Sequence, residues 1–145
     1  ETLFSMLISR LGSFDELRVA DLFAGSGALG IEAMSRGAAS CLFAEVDAAA
    51  LRSLRANIAA LQIQSQTDVR AGSVLALGPV KQPFDLILLD PPYGTGAGSV
   101  ALERMARHGW IGPASWIALE VAAKEEVRLK GFAEAGLVDP APYRA

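Results

Sequence analysis

The segment Asp90-Pro91-Pro92-Tyr93 has the clearest chemical potential in the chain. Proline carries no N–H, so this segment presents carbonyl oxygens and the Asp90 carboxylate, both able to accept hydrogen bonds from an incoming amine. Tyr93 offers a flat face on which an extruded base can stack. The segment directly follows an apolar run of strand length, Phe84 to Leu89, which is typical of a buried parallel strand. The pattern therefore predicts a catalytic site for a planar amine.

A second motif contains the glycines Gly25, Gly27 and Gly30 in the spacing G-x-G-x-x-G. These glycines allow a sharp strand-to-helix turn and a close backbone approach to a ligand, which the free N–H groups of the following helix then meet. Asp21 adds an acid that suits a cationic or amine-bearing ligand and would repel a pyrophosphate. The motif predicts a cofactor site whose candidate residues are Asp21, Phe23, Gly25, Ser26 and Gly27.

A third motif, Glu45-Val46-Asp47, begins 20 residues after Gly25. A carboxylate at the end of the second strand can accept both hydroxyls of a ribose, in NAD and in S-adenosylmethionine alike. Asp47 is explained more simply as the N-cap of the next helix. We therefore predict Glu45 as the ribose ligand and Val46 as a packing surface for adenine.

The elements that position these motifs alternate between strand and helix patterns along the whole chain. Strands separated by helices at this spacing predict an α/β fold, namely a doubly wound, mostly parallel sheet with helices on both faces. Ligands of such sheets bind outside the carboxyl ends of the strands, where all three motifs fall. The predicted strands are Arg18 to Phe23, Ser40 to Glu45, Thr67 to Ala71, Phe84 to Leu89 and Ser115 to Val121. The predicted helices are Leu3 to Leu11, Ala28 to Arg36, Asp47 to Leu61 and Ser99 to Arg107.

Composition narrows the class of protein. With 145 residues, of which 52% are hydrophobic and 20% charged, the chain has the size of one globular domain. Its longest apolar runs are of strand length, so we expect no membrane-spanning helix. The first residues do not have the sequence of a signal peptide, and a cytoplasmic protein is therefore the default expectation. The single cysteine, Cys41, lies in an apolar run and is expected to be a buried hydrophobe. No residues show the spacing of a metal site. The net charge of −3 is not the excess of positive charge that is typical of a nucleic-acid-binding protein.

Together the motifs resemble those of class I S-adenosylmethionine-dependent methyltransferases, which have a Rossmann-like fold and, with a D/N-P-P-Y/F tetrapeptide, act on planar exocyclic amines. Within that class the chain resembles the RsmD family, whose members methylate the N2 amine of one guanine in bacterial 16S rRNA. The resemblance covers about residues 1 to 135. It rests on Glu1 to Leu7, Asp21 to Ala33, Ser35 to Ala38, Asp85, Leu89 to Tyr93, and Leu119 with Glu120.

The resemblance implies S-adenosylmethionine as cofactor, 16S rRNA within the 30S ribosomal subunit as partner, no metal, and a monomer. It also implies that Gly72, Ser73 and Val74 contact the adenine, with Ser73 standing where the family usually has an aspartate. We expect residues 1–145 to form a single methyltransferase domain that lacks the family's N-terminal basic hairpin. Whether the family's last strand is present is left open.

Two alternatives within this class remain open from the sequence. The tetrapeptide also serves enzymes that methylate adenine N6 in DNA or RNA, and a scaffold that binds the cofactor without catalysis would keep the same fold. A dinucleotide-dependent dehydrogenase is disfavoured, because Asp90-Pro91-Pro92-Tyr93 would then have no role. Asp at position 90, where glutamine methyltransferases carry Asn, disfavours a protein glutamine substrate.

Overall fold

A computed structural model describes residues 3–92 and 94–120, with the side chain of Glu120 excepted, and the backbone of residues 142 and 143. These residues form a sheet of six parallel strands with the order β3-β2-β1-β4-β5-β6. The order reverses between β1 and β4, which creates the crevice in which doubly wound sheets bind ligands. The strands are β1 (Arg18–Leu22), β2 (Ser40–Glu45), β3 (Thr67–Ala71), β4 (Phe84–Leu89), β5 (Ile111–Glu120) and β6 (Pro142–Tyr143).

Helices pack on both faces of the sheet, as predicted. They are α1 (Leu3–Leu11), α2 (Ala28–Ser35), α3 (Ala48–Leu61) and α4 (Ala97–Arg107). One apolar cluster joins α1, α2 and α3 to one face, and a second joins α4 and the short 3-10 turn Val74–Ala76 to the other. Alternate residues of β1, β2 and β4 contribute to the two clusters, since successive side chains of a strand point to opposite faces. The central strands are therefore apolar on both sides.

Local signals in the sequence account for most helix ends. Asp47 caps α3, where its carboxylate accepts a hydrogen bond from the backbone N–H of Ala50 at 2.8 Å. Helix α4 starts at Ala97, two residues before the predicted start, because Gly96 turns the chain with a φ of 69°. Helix α2 ends at Ser35 and leaves Arg36 as its C-cap.

Two strand boundaries differ from the prediction, and the predicted end of the fifth strand, Val121, lies outside the described residues. Strand β1 ends at Leu22 because Phe23 has left-handed backbone geometry, with a φ of 63°. Strand β5 begins at Ile111, four residues before the predicted Ser115, despite the Gly112-Pro113 pair. The Ser115 hydroxyl accepts from the Gly112 N–H at 2.9 Å and donates to the Phe84 carbonyl, which bridges an irregular stretch of the β4–β5 pairing.

The cysteine and the two tryptophans differ in how deeply they are buried. Cys41 is buried, and no helix in the part of the chain that the structure describes is long and apolar enough to cross a bilayer. Trp110 is buried and donates its indole N–H to the Gly78 carbonyl at 2.8 Å, whereas Trp116 is 40% exposed. Trp110 therefore packs into the core, whereas the side chain of Trp116 is partly in solvent.

Helix α2 approaches the sheet very closely at Gly30. A Cβ atom at this position would collide with the Phe43 ring and lie 2.8 Å from the Cys41 sulfur. We predict that Gly30→Ala lowers the free energy of unfolding by about 1–3 kcal/mol, because overpacking outweighs the gain in helix propensity. Urea denaturation measures the change. Gly78→Ala is the control, since a Cβ built there would have no atom within 4 Å; a stabilised Gly30→Ala variant would contradict the packing described.

Candidate active site at the carboxyl edge of the sheet

The loop between β1 and α2 reverses the chain through three residues with positive φ. These are Phe23 at 63°, Gly25 at 61° and Gly27 at 87°. A Cβ on Gly27 would collide with the Leu54 side chain of α3, and its φ of 87° is one that residues with side chains rarely adopt, so this position favours glycine. Within the loop, the N–H of Gly27 donates to the carbonyl of Ala24 at 2.9 Å. The sequence-predicted glycine turn is thus a tight loop packed against the next helix.

Glu45 connects this loop to the end of β2. One carboxylate oxygen, Oε1, accepts from the Gly25 N–H at 2.7 Å, and the other, Oε2, accepts from the N–H groups of Val46 and Asp47 at 2.9 Å each. A carboxylate has about four acceptor positions, so these three bonds hold the group while leaving capacity on Oε1. The side chain is therefore oriented before any ligand arrives.

Asp21 lies beneath the loop. Its side chain is 1% exposed, and its Oδ2 accepts from the N–H of Gly30 at 3.0 Å. Burial is the main cause that raises the pKa of Asp21 to about 8; the Gly30 hydrogen bond opposes this shift, and the nearby Asp90 and Glu45 carboxylates add to it. At neutral pH the group is mostly uncharged. The carboxyl faces the start of α2, where it is bonded to Gly30. A contact between Asp21 and a ligand amine therefore stays a prediction.

A cavity of about 390 Å³ opens beside the loop at the carboxyl ends of β1 to β4. This volume falls within the range of small-molecule sites. Nine of the residues predicted from the sequence line it, and Ala44, which was not predicted, is the tenth. The nine are Phe23, Glu45, Val46, Gly72, Ser73, Val74, Asp90, Pro91 and Pro92.

Four other predicted cofactor residues lie outside this lining. Gly25 and Gly27 lie in the glycine loop, whose residue Phe23 lines the cavity, and Asp21 lies beneath this loop. Ser26 is exposed on the loop. Tyr93 lies outside the described residues. Ala44 is a small residue immediately before Glu45 at the end of the same strand. This position could have indicated from the sequence that Ala44 also lines the cavity.

One wall of the cavity carries an exposed apolar side chain and a polar turn. Val46 is 66% exposed, although it is an aliphatic residue. Ser73 caps the 3-10 turn, and its hydroxyl oxygen accepts from the N–H of Leu75 at 3.1 Å. A hydroxyl has two acceptor positions and one donor, so Ser73 keeps one of each for a ligand. This wall suits a flat heterocycle with a polar edge.

The opposite wall is the Asp90-Pro91-Pro92 segment. Asp90 is exposed at its rim, and partial desolvation by the surrounding protein raises the pKa of its carboxyl. The carbonyl of Pro92 accepts from the Thr95 hydroxyl at 2.9 Å. Pro91 is buried against α4, where a Cβ on Gly98 would lie 3.2 Å from its ring. Within the described residues no donor is bonded to the Pro91 carbonyl, so it and Asp90 can receive hydrogen bonds.

Comparison with known proteins identifies the family. Residues 1–136 match the family model described as Conserved hypothetical protein 95. The chain belongs to this family. Curated relatives carry the name Ribosomal RNA small subunit methyltransferase D, which confirms the resemblance to the RsmD family. One from Buchnera aphidicola (subsp. Acyrthosiphon pisum) is 34% identical over 128 residues, with 88% of this chain and 65% of the relative covered.

A second such relative, from Escherichia coli K12, is 32% identical over 120 residues, with 83% of this chain and 59% of the relative covered. The chain thus spans about three fifths of the length of these RsmD relatives. A solved Haemophilus influenzae structure described as a methylase has a TM-score of 0.81 and 29% identity, covering 88% of this chain and 76% of that one. An Escherichia coli structure described as a methyltransferase has a TM-score of 0.75, 28% identity, and coverage of 87% and 72%. The predicted Rossmann-like methyltransferase fold is confirmed.

The buried acid of this RsmD-family chain makes stability depend on pH. The pKa of Asp21 is about 8 in the folded protein against an ordinary value of 3.8. Between these values the folded state holds a proton that the unfolded state has lost, so stability falls as pH rises from about 4 to about 8. We predict that the free energy of unfolding of Asp21→Asn falls less steeply with pH than that of the wild type, by up to about 1.4 kcal/mol per pH unit. Urea midpoints at pH 6 and pH 8 measure it.

The control is Glu16→Gln, an exposed carboxyl in the segment before β1. It should leave the pH dependence of the wild type unchanged. An Asp21→Asn variant whose stability falls with pH as steeply as that of the wild type would show that Asp21 is ionised in the folded protein.

Proposed function

We propose that the chain transfers a methyl group from S-adenosylmethionine to the N2 amine of a guanine in 16S rRNA of the small ribosomal subunit. The observation that carries the proposal is one cavity lined by Glu45 and Ser73 on one side and by Asp90 and Pro91 on the other. The side chains of Glu45 and Ser73 suit a nucleoside, whereas the acceptor oxygens of Asp90 and Pro91 suit an amine. The names of the curated relatives support ribosomal RNA as the substrate, and a cytoplasmic location would follow.

The residues present fit the adenosyl part of the cofactor. Glu45 can receive the ribose hydroxyls with its remaining acceptor capacity, Val46 can cover one face of the adenine, and Ser73 can bond the adenine edge. The rim carboxylate of Asp90 favours positive charge on that side of the cavity. When bound, the cofactor would supply an electrophilic methyl group on a sulfonium.

The chain's own contribution to catalysis would be positioning. A guanine N2 amine donates its lone pair into the ring, so it is a weak nucleophile unless its N–H bonds are held. The Asp90 carboxylate and the Pro91 carbonyl would accept these two N–H groups and direct the nitrogen toward the methyl group. The proton released after transfer would go to Asp90 or to water. The predicted stacking of the guanine on Tyr93 belongs to the same proposal.

Replacement of Asp90 tests this role. We predict that Asp90→Ala lowers kcat at least 100-fold, on the order of the usual effect of a lost acid–base or transition-state contact. Binding of S-adenosylhomocysteine should change little, because it depends on Glu45 and Ser73. Transfer of labelled methyl groups to 30S subunits lacking the modification, followed by nucleoside analysis, measures kcat and identifies the product as N2-methylguanosine.

Three other outcomes have distinct meanings. Full turnover by Asp90→Ala would refute the role of Asp90. Label on adenosine would favour an adenine N6 methyltransferase. Binding of S-adenosylhomocysteine with no transfer by the wild type would contradict the proposed reaction and favour a non-catalytic scaffold.

The pH profile gives a second test. An ionised carboxylate is a stronger acceptor for an N–H than a protonated carboxyl, and only the ionised form can take up the released proton, so activity should fall as pH drops through the pKa of Asp90. Because partial burial raises that pKa, the acid limb should lie above the ordinary value of 3.8. We predict that Asp90→Asn, which keeps an acceptor oxygen, is less active but loses this acid limb. An unchanged acid limb in Asp90→Asn would assign it to another group.

A further inference from the structure

The glycine loop has a polar partner in α3 that none of the sequence motifs indicates. The side-chain amide of Asn57 donates through Nδ2 to the carbonyl of Ser26 at 3.1 Å, across 31 residues of sequence. Leu54, one turn earlier on the same helix, is the residue that a Cβ on Gly27 would strike. Residues three apart lie on the same side of a helix. One side of α3 thus contacts the loop through an apolar and a polar side chain.

The hydrogen bonds of this loop hold two peptide planes at both ends. In the plane between Ala24 and Gly25, the N–H donates to Glu45 and the carbonyl accepts from Gly27. In the plane between Ser26 and Gly27, the N–H donates to Ala24 and the carbonyl accepts from Asn57. Removal of the Asn57 amide would release one end of the second plane.

Such release would matter because the loop has an unusual backbone. The positive φ of Phe23 is costly for a residue with a side chain and persists only where surrounding contacts determine it. Phe23 lines the cavity, whereas Asn57 does not. The position of the cavity wall therefore depends on contacts made behind it.

We propose that Asn57 is a positioning residue for the cofactor, acting through the Ser26 carbonyl on the shape of the glycine loop. This proposal rests on the function proposed above, since it requires that the cavity bind S-adenosylmethionine. The side chain of Asn57 is exposed and contributes little to the core. Its effect should therefore appear in cofactor affinity and not in folding.

Substitution at position 57 separates these two effects. Asparagine is a poorer helix former than alanine, so Asn57→Ala should leave the thermal stability of the free protein unchanged or raised. The same variant should weaken S-adenosylhomocysteine binding roughly three- to tenfold, the scale of one hydrogen bond. At saturating cofactor kcat should be unchanged, while KM for S-adenosylmethionine rises.

Asn57→Asp is a stricter test, because a carboxylate of nearly the same shape has no donor at neutral pH and faces the Ser26 carbonyl. It should bind S-adenosylhomocysteine more weakly than Asn57→Ala. The matched control is Ser53→Ala, at an exposed position one turn earlier in α3, which should bind like the wild type. Isothermal titration calorimetry and thermal denaturation of the free proteins provide the two readouts.

The proposal is overturned if Asn57→Ala binds S-adenosylhomocysteine with wild-type affinity, or if its affinity falls only together with its stability. It is also overturned if Ser53→Ala loses as much affinity. Failure of the wild type to bind S-adenosylhomocysteine would instead refute the proposed function, and this inference with it.

Discussion

The hydrogen bond between Glu45 and the backbone N–H of Gly25 connects the parts of the site on which the rest depends. It joins the carboxyl end of β2 to the loop that follows β1, so that two neighbouring strands present a single wall. The same carboxylate also holds the start of the chain leading into α3 through Val46 and Asp47. A ribose that approached this group would meet an acceptor already fixed in place, which lowers the ordering cost of binding.

Electrostatics favour a cationic ligand at this edge of the sheet. Asp21, Glu45 and Asp90 lie close enough for the charges of the last two to contribute to the raised pKa of the first. Burial is the main cause that raises the pKa of Asp21, and the two neighbouring carboxylates add to it, so Asp21 is the member of the three that favours the protonated form. Two exposed or half-buried carboxylates then face the cavity. A sulfonium and an aromatic amine are ligands that such a cavity would attract.

The sequence was sufficient to predict the fold and most of the cavity lining, because parallel strands bring their carboxyl ends to one edge. Glu45 and Asp90 meet there for this reason, although 45 positions separate them. The depth of Asp21 could not be predicted, since an acid at a strand end can point either to solvent or beneath the following loop. The start of β5 was missed because Gly112-Pro113 is typical of a turn, whereas Ser115 bridges the irregularity.

Asn57 was missed for a different reason. An asparagine among exposed residues of a helix is typical of a solvated surface, and no pattern along the chain links it to Ser26. The positive φ of Phe23 was equally hidden, because aromatic residues rarely adopt it. The bond between Asn57 and Ser26 depends on how closely α3 approaches the loop, which is a property of packing between distant segments.

A crystal structure of the protein with S-adenosylhomocysteine tests most directly whether the two halves of the cavity form one methyl-transfer site. We expect the ribose hydroxyls on the Glu45 carboxylate, the adenine between Val46 and Val74 with its edge at Ser73, and the sulfur facing Asp90 and Pro91. A ligand bound elsewhere, or one whose sulfur points away from Asp90, would contradict a single methyl-transfer site.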